Sequence, residues 1–144
     1  MSNPQYDNQN IFAKILRGEM PCHMVFEDDE TLVIMDIFPR CDGHCLVLPK
    51  RPARNILDIE VADLEAVART TQRIAKAAMK AFNADGISIT QANEAAGNQE
   101  VFHLHVHVLP RHEGIGLGRP ASSMADGKVL AANAEKIRSA LWHE

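Results

Sequence analysis

His103-Leu104-His105-Val106-His107-Val108-Leu109 is the stretch that decides how this chain folds. Histidines at i, i+2 and i+4 alternate with large apolar residues, and successive side chains of an extended strand point to opposite faces of a sheet. Phe102, Leu104, Val106 and Val108 then form a core-facing row, and the three imidazoles form a row on the other face. The pattern predicts a strand over Val101 to Leu109, ended by Pro110, which has no N–H to give to a ladder.

The flanking sequence extends this into a sheet. Gly86 to Asn93 alternates as a strand and reaches the histidines through a polar loop, Glu94 to Glu100. Upstream, His23 to Phe26 and Thr31 to Ile37 read as strands around an Asp28-Asp29 turn, and His44 to Leu48 as a strand ended by Pro49 and Pro52. Helical spacing of Val61, Leu64, Val67, Ile74, Ala78 and Phe82 marks a long helix with Asp58 as its cap. A short helix runs from Ile11 to Arg17 between Asn10 and Gly18, and a last one from about Asp126 to Leu141. Residues 113–123 hold three glycines and a proline and read as irregular. The order predicts an α+β domain, an antiparallel sheet with helices packed on one side.

A chain of 144 residues buries roughly 68–70% of its unfolded surface, enough for one core. We expect a flexible segment over residues 1–9 and a single domain over 10–144. Net charge is -4 and the isoelectric point about 6.0, which argues against a nucleic-acid partner, since such proteins carry a clustered basic face. Cys22, Cys41 and Cys45 form neither a disulfide framework nor a CxxC pair. Residues 1–10 show no basic and apolar leader, and no apolar run approaches the ~20 residues that cross a bilayer. The expectation is a cytoplasmic protein with no membrane partner.

The histidine row admits three readings. It could be a solvated polar face. It could bind metal, but residues i and i+4 of a strand are roughly 13 Å apart at Cα, so three rings would have to lean sharply inward to meet at ligand distances of about 2 Å. It could act as a nucleophile, because neutral imidazole attacks phosphorus at pH 7 without a separate base. His105, with a ring on either side, is the best-supported candidate.

His103 to Leu109 resembles the motif of the histidine triad family, His-φ-His-φ-His-φ-φ with φ apolar. Further segments follow in family order: Ile11 to Pro21, Phe26 to Asp29, Asp36-Ile37, Gly43 to Lys50 and Gln99 to Phe102. The resemblance implies a five-stranded antiparallel sheet with two main helices, continued across a homodimer. It implies nucleotide hydrolysis or transfer through a nucleotidyl-histidine on His105, with His103, His107 and His44 as supporting members and no required metal or other cofactor. It also implies that Asp36 grips the ribose and that Asn93, Gln99 and Val101 lie on the phosphate side. Ile11, Phe12, Ile15 and Ile37 would wall the base. Arg40, Lys50, Arg51, Arg54 and Arg111 read as solvated charges.

Departures refine the expectation. Some relatives hold a structural zinc with cysteines at the positions of Asn10 and Ala13 and a histidine near Pro52; this chain has none of these, so no such zinc is expected. Many eukaryotic relatives have Ser or Thr at the position of Glu100. Asp36 favours the branch that cleaves nucleoside phosphoramidates, adenosine derivatives first, since a broad apolar pocket rewards the larger base. The branch that cleaves dinucleoside polyphosphates typically has Asn there, although His107-Val108-Leu109-Pro110-Arg111 has some of its character. The uridylyltransferase branch has Gln in place of the third histidine. The ligand expected is a small AMP or GMP derivative. A nucleotide-binding dimer with incidental catalysis is the alternative from a different class.

Overall fold

Asn10 caps the first helix through its side chain, which accepts from the Ala13 N–H, and Gly18 at φ +79° lets the chain turn away after it. The computed structural model describes residues 5–142. After this helix, α1 (Ile11–Leu16), come β1 (Met24–Glu27), β2 (Thr31–Met35), β3 (Cys45–Pro49), α2 (Val61–Ala81), β4 (Gly86–Thr90), β5 (Val106–Arg111) and α3 (Gly127–Trp142). The five strands make one antiparallel sheet, as the α+β reading expects, in the order β1-β2-β3-β5-β4, but helices cover both of its faces and not one side alone. Residues 1–4 of the segment expected to be flexible, and residues 143–144 of the expected domain, lie outside the described residues.

Alternation sorts the core into two layers. Val33, Val47, Val106 and Val108 point from the sheet to Val67, Ile74 and Ala77 of α2 and to Leu130, Ala134 and Ile137 of α3. Leu32, Ile34, Leu46 and Leu48 point the other way, where Phe12, Ile15 and Leu16 of α1 cover them. β2 and β3 are thus buried on both faces, each large side chain contributing about 1.5–3 kcal/mol. Leu46 lies directly opposite His107, so the histidine row belongs to the α1 face. Among the described residues no helix is long and apolar enough to cross a membrane.

The histidine segment departs from the expected strand. β5 begins only at Val106, and its pairing with β3 is confined to Val106, His107 and Val108. The preceding backbone turns to the 53–59 loop instead, where the Leu104 N–H donates to the Ala53 carbonyl at 2.8 Å. Pro110 does not end the strand but pairs opposite Ile87, at a point where β5 has β4 on one side only. Asp58 does not cap α2, whose N-cap is Glu60; its carboxylate accepts from the Arg54 and Asn55 N–H groups and closes the turn.

Candidate active site

Each ring of the histidine cluster has partners that dictate which nitrogen carries hydrogen. A carbonyl oxygen only accepts and a backbone N–H only donates. His105 Nδ1 lies 2.7 Å from the His103 carbonyl, so Nδ1 holds the hydrogen and the Nε2 lone pair is left for chemistry. His103 Nε2 donates to the Pro49 carbonyl at 2.9 Å, and its Nδ1 accepts from the Tyr6 hydroxyl at 2.7 Å. Across the row, the Arg40 N–H donates to His44 Nδ1 at 3.1 Å, which puts the His44 hydrogen on Nε2. That Nε2–H points to His107 Nδ1 at 2.9 Å and lies 3.4 Å from Asp36 Oδ2. His107 therefore carries its own hydrogen on Nε2. One lone pair and one N–H donor result, on adjacent rings whose centroids are 5.0 Å apart.

Burial keeps these rings neutral. Desolvation is the largest influence on His103, His105 and His107 and lowers each from 6.5 to about 4. At His105 the bond to the His103 carbonyl, Asp36 and Glu100 oppose the shift, while the neighbouring His107 adds to it. His44 is likewise lowered by burial, against the pull of Asp36. Phe12 presses edge-on against His105 at 4.9 Å between centroids, drying the ring from the α1 side.

Two loops hold the cluster. In the first, Asp36 Oδ1 accepts the Phe38 N–H at 2.8 Å, and the Asp36 N–H donates to the His44 carbonyl. The turn relies on Gly43 at φ +87°, where a Cβ would stand 2.5 Å from the Phe82 ring. Arg40 and Gly118 bind reciprocally, the Gly118 N–H to the Arg40 carbonyl and Arg40 Nε to the Gly118 carbonyl. In the second loop, buried Gln99 accepts from Asn55 Nδ2 and the Glu94 N–H and donates to the Arg54 and Val101 carbonyls. Arg54 binds Glu94 through two N–H groups and lies over the Phe102 ring at 4.1 Å.

The expected site residues are only partly gathered. His44, His103, His105, His107, Asp36 and Phe12 meet, with Ile15 and Val101 packed in the same apolar layer and Ile11 more exposed on α1. Ile37 instead packs against the core beneath α2 and α3. The Gln99 side chain is engaged within its loop, and Asn93 is held by Gln91 and the Ile56 N–H. Arg54 is no solvated charge; it anchors the loop before the triad. Tyr6 and the Arg40 N–H escape sequence reading, since neither belongs to a local pattern.

Asp36, His44 and His107 bring one ligand atom each within 4.8 Å of one another, a spacing that could suit a metal ion. The hydrogen bonding does not suit it. A metal on His44 Nε2 needs a lone pair there, which would move the hydrogen to Nδ1 and set it against the Arg40 N–H.

The sheet carries an oriented neutral imidazole among three further histidine rings, with the Asp36 carboxylate 3.4 Å from His44, in the manner of nucleotide-binding proteins of hydrolase type. The chain belongs to the histidine triad family: the HIT domain pattern matches residues 17–114. A solved HIT-like protein from Bartonella henselae superposes with a TM-score of 0.91 at 48% identity, over 95% of this chain and 99% of that one. An uncharacterised HIT-like protein of Borreliella burgdorferi is 40% identical over 75% of this chain and 79% of its own. The adenylylsulfatase HINT3 of Arabidopsis thaliana is 36% identical over 74% of this chain, which spans only 54% of that longer protein.

Proposed function

We propose that the protein hydrolyses nucleoside phosphoramidates, adenosine derivatives preferred, through a nucleotidyl-histidine on His105 and with no required metal. The observation that carries this reading is the 2.7 Å bond from His105 Nδ1–H to the His103 carbonyl, which frees the Nε2 lone pair. That lone pair attacks phosphorus, the P–N bond breaks, and the leaving nitrogen takes up one proton from solvent and departs as the amine. Water then attacks phosphorus and the P–Nε2 bond closes back onto the ring. One proton returns to solvent and the nucleoside monophosphate is released. His107 Nε2–H donates to a non-bridging oxygen, where charge builds in the transition state. Asp36 accepts from the ribose hydroxyls, and Phe12 with Ile15 and Ile11 offers the base an apolar wall.

Acid-quenched turnover of adenosine 5′-phosphoramidate tests the mechanism. A nucleotidyl adduct on His105, absent from His105→Ala, is expected by mass spectrometry; an adduct elsewhere overturns it. EDTA is expected to leave the rate unchanged. If His105→Ala turns over as fast as the parent, the protein is a nucleotide-binding module and not this enzyme.

The same reading includes a homodimer joined at β4. At β1, Arg138 donates to the Met24 carbonyl. At the β4 end of the sheet Ile89 is exposed, as is Leu57 on the turn whose Ile56 N–H donates to Asn93. An open strand edge beside exposed apolar side chains favours pairing with a second copy.

A further inference from the structure

Both ring nitrogens of His103 are held, and one of the two partners comes from the opposite end of the chain. His103 Nε2–H donates to the Pro49 carbonyl at 2.9 Å, and Nδ1 accepts from the Tyr6 hydroxyl at 2.7 Å. Burial pushes the Tyr6 hydroxyl above its ordinary range, so it keeps its hydrogen and donates. His103 is fully buried, and a buried acceptor left without a donor costs the desolvation of that group. Among the described residues, Tyr6 is the one side chain that donates to His103 Nδ1.

A turn tied to the first helix brings Tyr6 there. Asn10, whose Oδ1 caps α1, uses its Nδ2 to hold the Asp7 carbonyl at 2.8 Å. The Gln9 N–H donates to Asp7 Oδ1 at 2.9 Å, and Arg17 Nη1, just past the far end of α1, donates to the Asn8 carbonyl at 2.7 Å. Residues 6–9 thus fold back on α1, and the Tyr6 ring meets His103 edge-on at 5.7 Å between centroids. Tyr6 closes one end of the histidine row, while His44 and Asp36 close the other beside His107.

What the His103 ring fixes is passed on through the backbone. The peptide between His103 and Leu104 lies before β5 and has no strand neighbour to hold it. Its N–H end is held by the Ala53 carbonyl at 2.8 Å, and its carbonyl end receives His105 Nδ1–H at 2.7 Å. The direction of that carbonyl therefore depends on one backbone bond and on the His103 side chain, clamped by Pro49 at one nitrogen and by Tyr6 at the other.

We propose that Tyr6 is a positioning residue for His105: its hydroxyl clamps His103, and His103 presents the carbonyl that aims the Nε2 lone pair. The segment before α1 is thereby part of the site. This rests on the reading of His105 as the nucleophile and adds no bond change to that reaction. Tyr6 keeps its proton throughout and acts only through His103.

Tyr6→Phe removes the hydroxyl and keeps the ring against His103. With adenosine 5′-phosphoramidate, kcat is expected to fall roughly tenfold, the scale of an orphaned buried acceptor, while KM stays within about twofold. NMR of the histidine rings reads the same change without substrate. The His103 Nδ1 resonance should move toward that of an acceptor with no donor, and the His105 Nδ1–H proton should exchange faster with solvent. A Tyr6 that only anchors its segment would lower the urea midpoint and leave kcat and the His105 proton as in the parent, and that result overturns the proposal. A fall in kcat with both ring signals unmoved overturns it too. So does a parent spectrum in which His103 Nδ1 already resonates as a free acceptor, with no variant needed. Turnover by the parent no faster than by His105→Ala overturns the phosphoramidate reading instead, and the exchange of His105 Nδ1–H still decides whether Tyr6 aims the ring.

Discussion

Neutral imidazole at position 105 has two requirements, a dry setting and a fixed hydrogen, and the first makes a pH prediction. With His105 held at about 4, kcat/KM for adenosine 5′-phosphoramidate is expected to stay level from pH 8 to about 5. It then falls about tenfold per unit once the ring protonates below 4. A fall centred near 6.5 would show that the ring is not desolvated. Asp36 separates binding from chemistry at the same scale. Asp36→Asn keeps the size of the side chain but halves its acceptors, so KM is expected to rise about tenfold with a smaller change in kcat. Position 105 could be read from alternation alone, because strand periodicity is a local property. The hydrogen on its Nδ1 could not, because it depends on where the His103 carbonyl points once the backbone has left the sheet.

Loops, more than strands, place the reactive groups. Gly43→Ala would drive a methyl into Phe82 at a backbone angle that side chains avoid. We expect it to cost about 1–3 kcal/mol in urea unfolding and to lower kcat by loosening the Asp36–His44 turn. A variant as stable and active as the parent would show that the turn adapts. The segment from Val101 to His105 shows why the side-chain pattern and the backbone can diverge. Its alternation does put the histidines on one face, as read, but alternation says nothing of which backbone receives the N–H groups. That is decided by Gln99, Asn55 and Arg54, which tie the loop to the 53–59 turn across some forty residues of sequence. Pro110 misleads for a related reason: whether a proline ends a strand depends on whether a neighbour exists on its N–H side.

The whole molecule titrates through the cluster. Unfolded histidines take up protons below about 6.5, while His103, His105 and His107 resist until about 4, so between these values the unfolded chain binds more protons. Stability is then expected to fall as pH drops through this window, by up to about 1.4 kcal/mol per unit for each ring. Urea midpoints at pH 7, 5.5 and 4.5 measure it, and His103→Asn should flatten the slope. Assembly is tested at this scale too. Ile89→Asp on the β4 edge should convert a dimer to a monomer in sedimentation equilibrium, while an unchanged mass would place the interface elsewhere. The α+β order was open to sequence reading because it follows from periodicity; the second core layer under α1 was not, since helices were expected on one side of the sheet alone. Tyr6 against His103 was not, since 97 residues separate them. Three of the groups that set the hydrogens of the cluster, the carbonyls of His103 and Pro49 and the N–H of Arg40, belong to the main chain. No exchange of one side chain for another deletes a carbonyl. Descendants of this chain can therefore change the side chains around the cluster while inheriting the same fixed hydrogens, so the site is robust at its centre and evolvable at its rim.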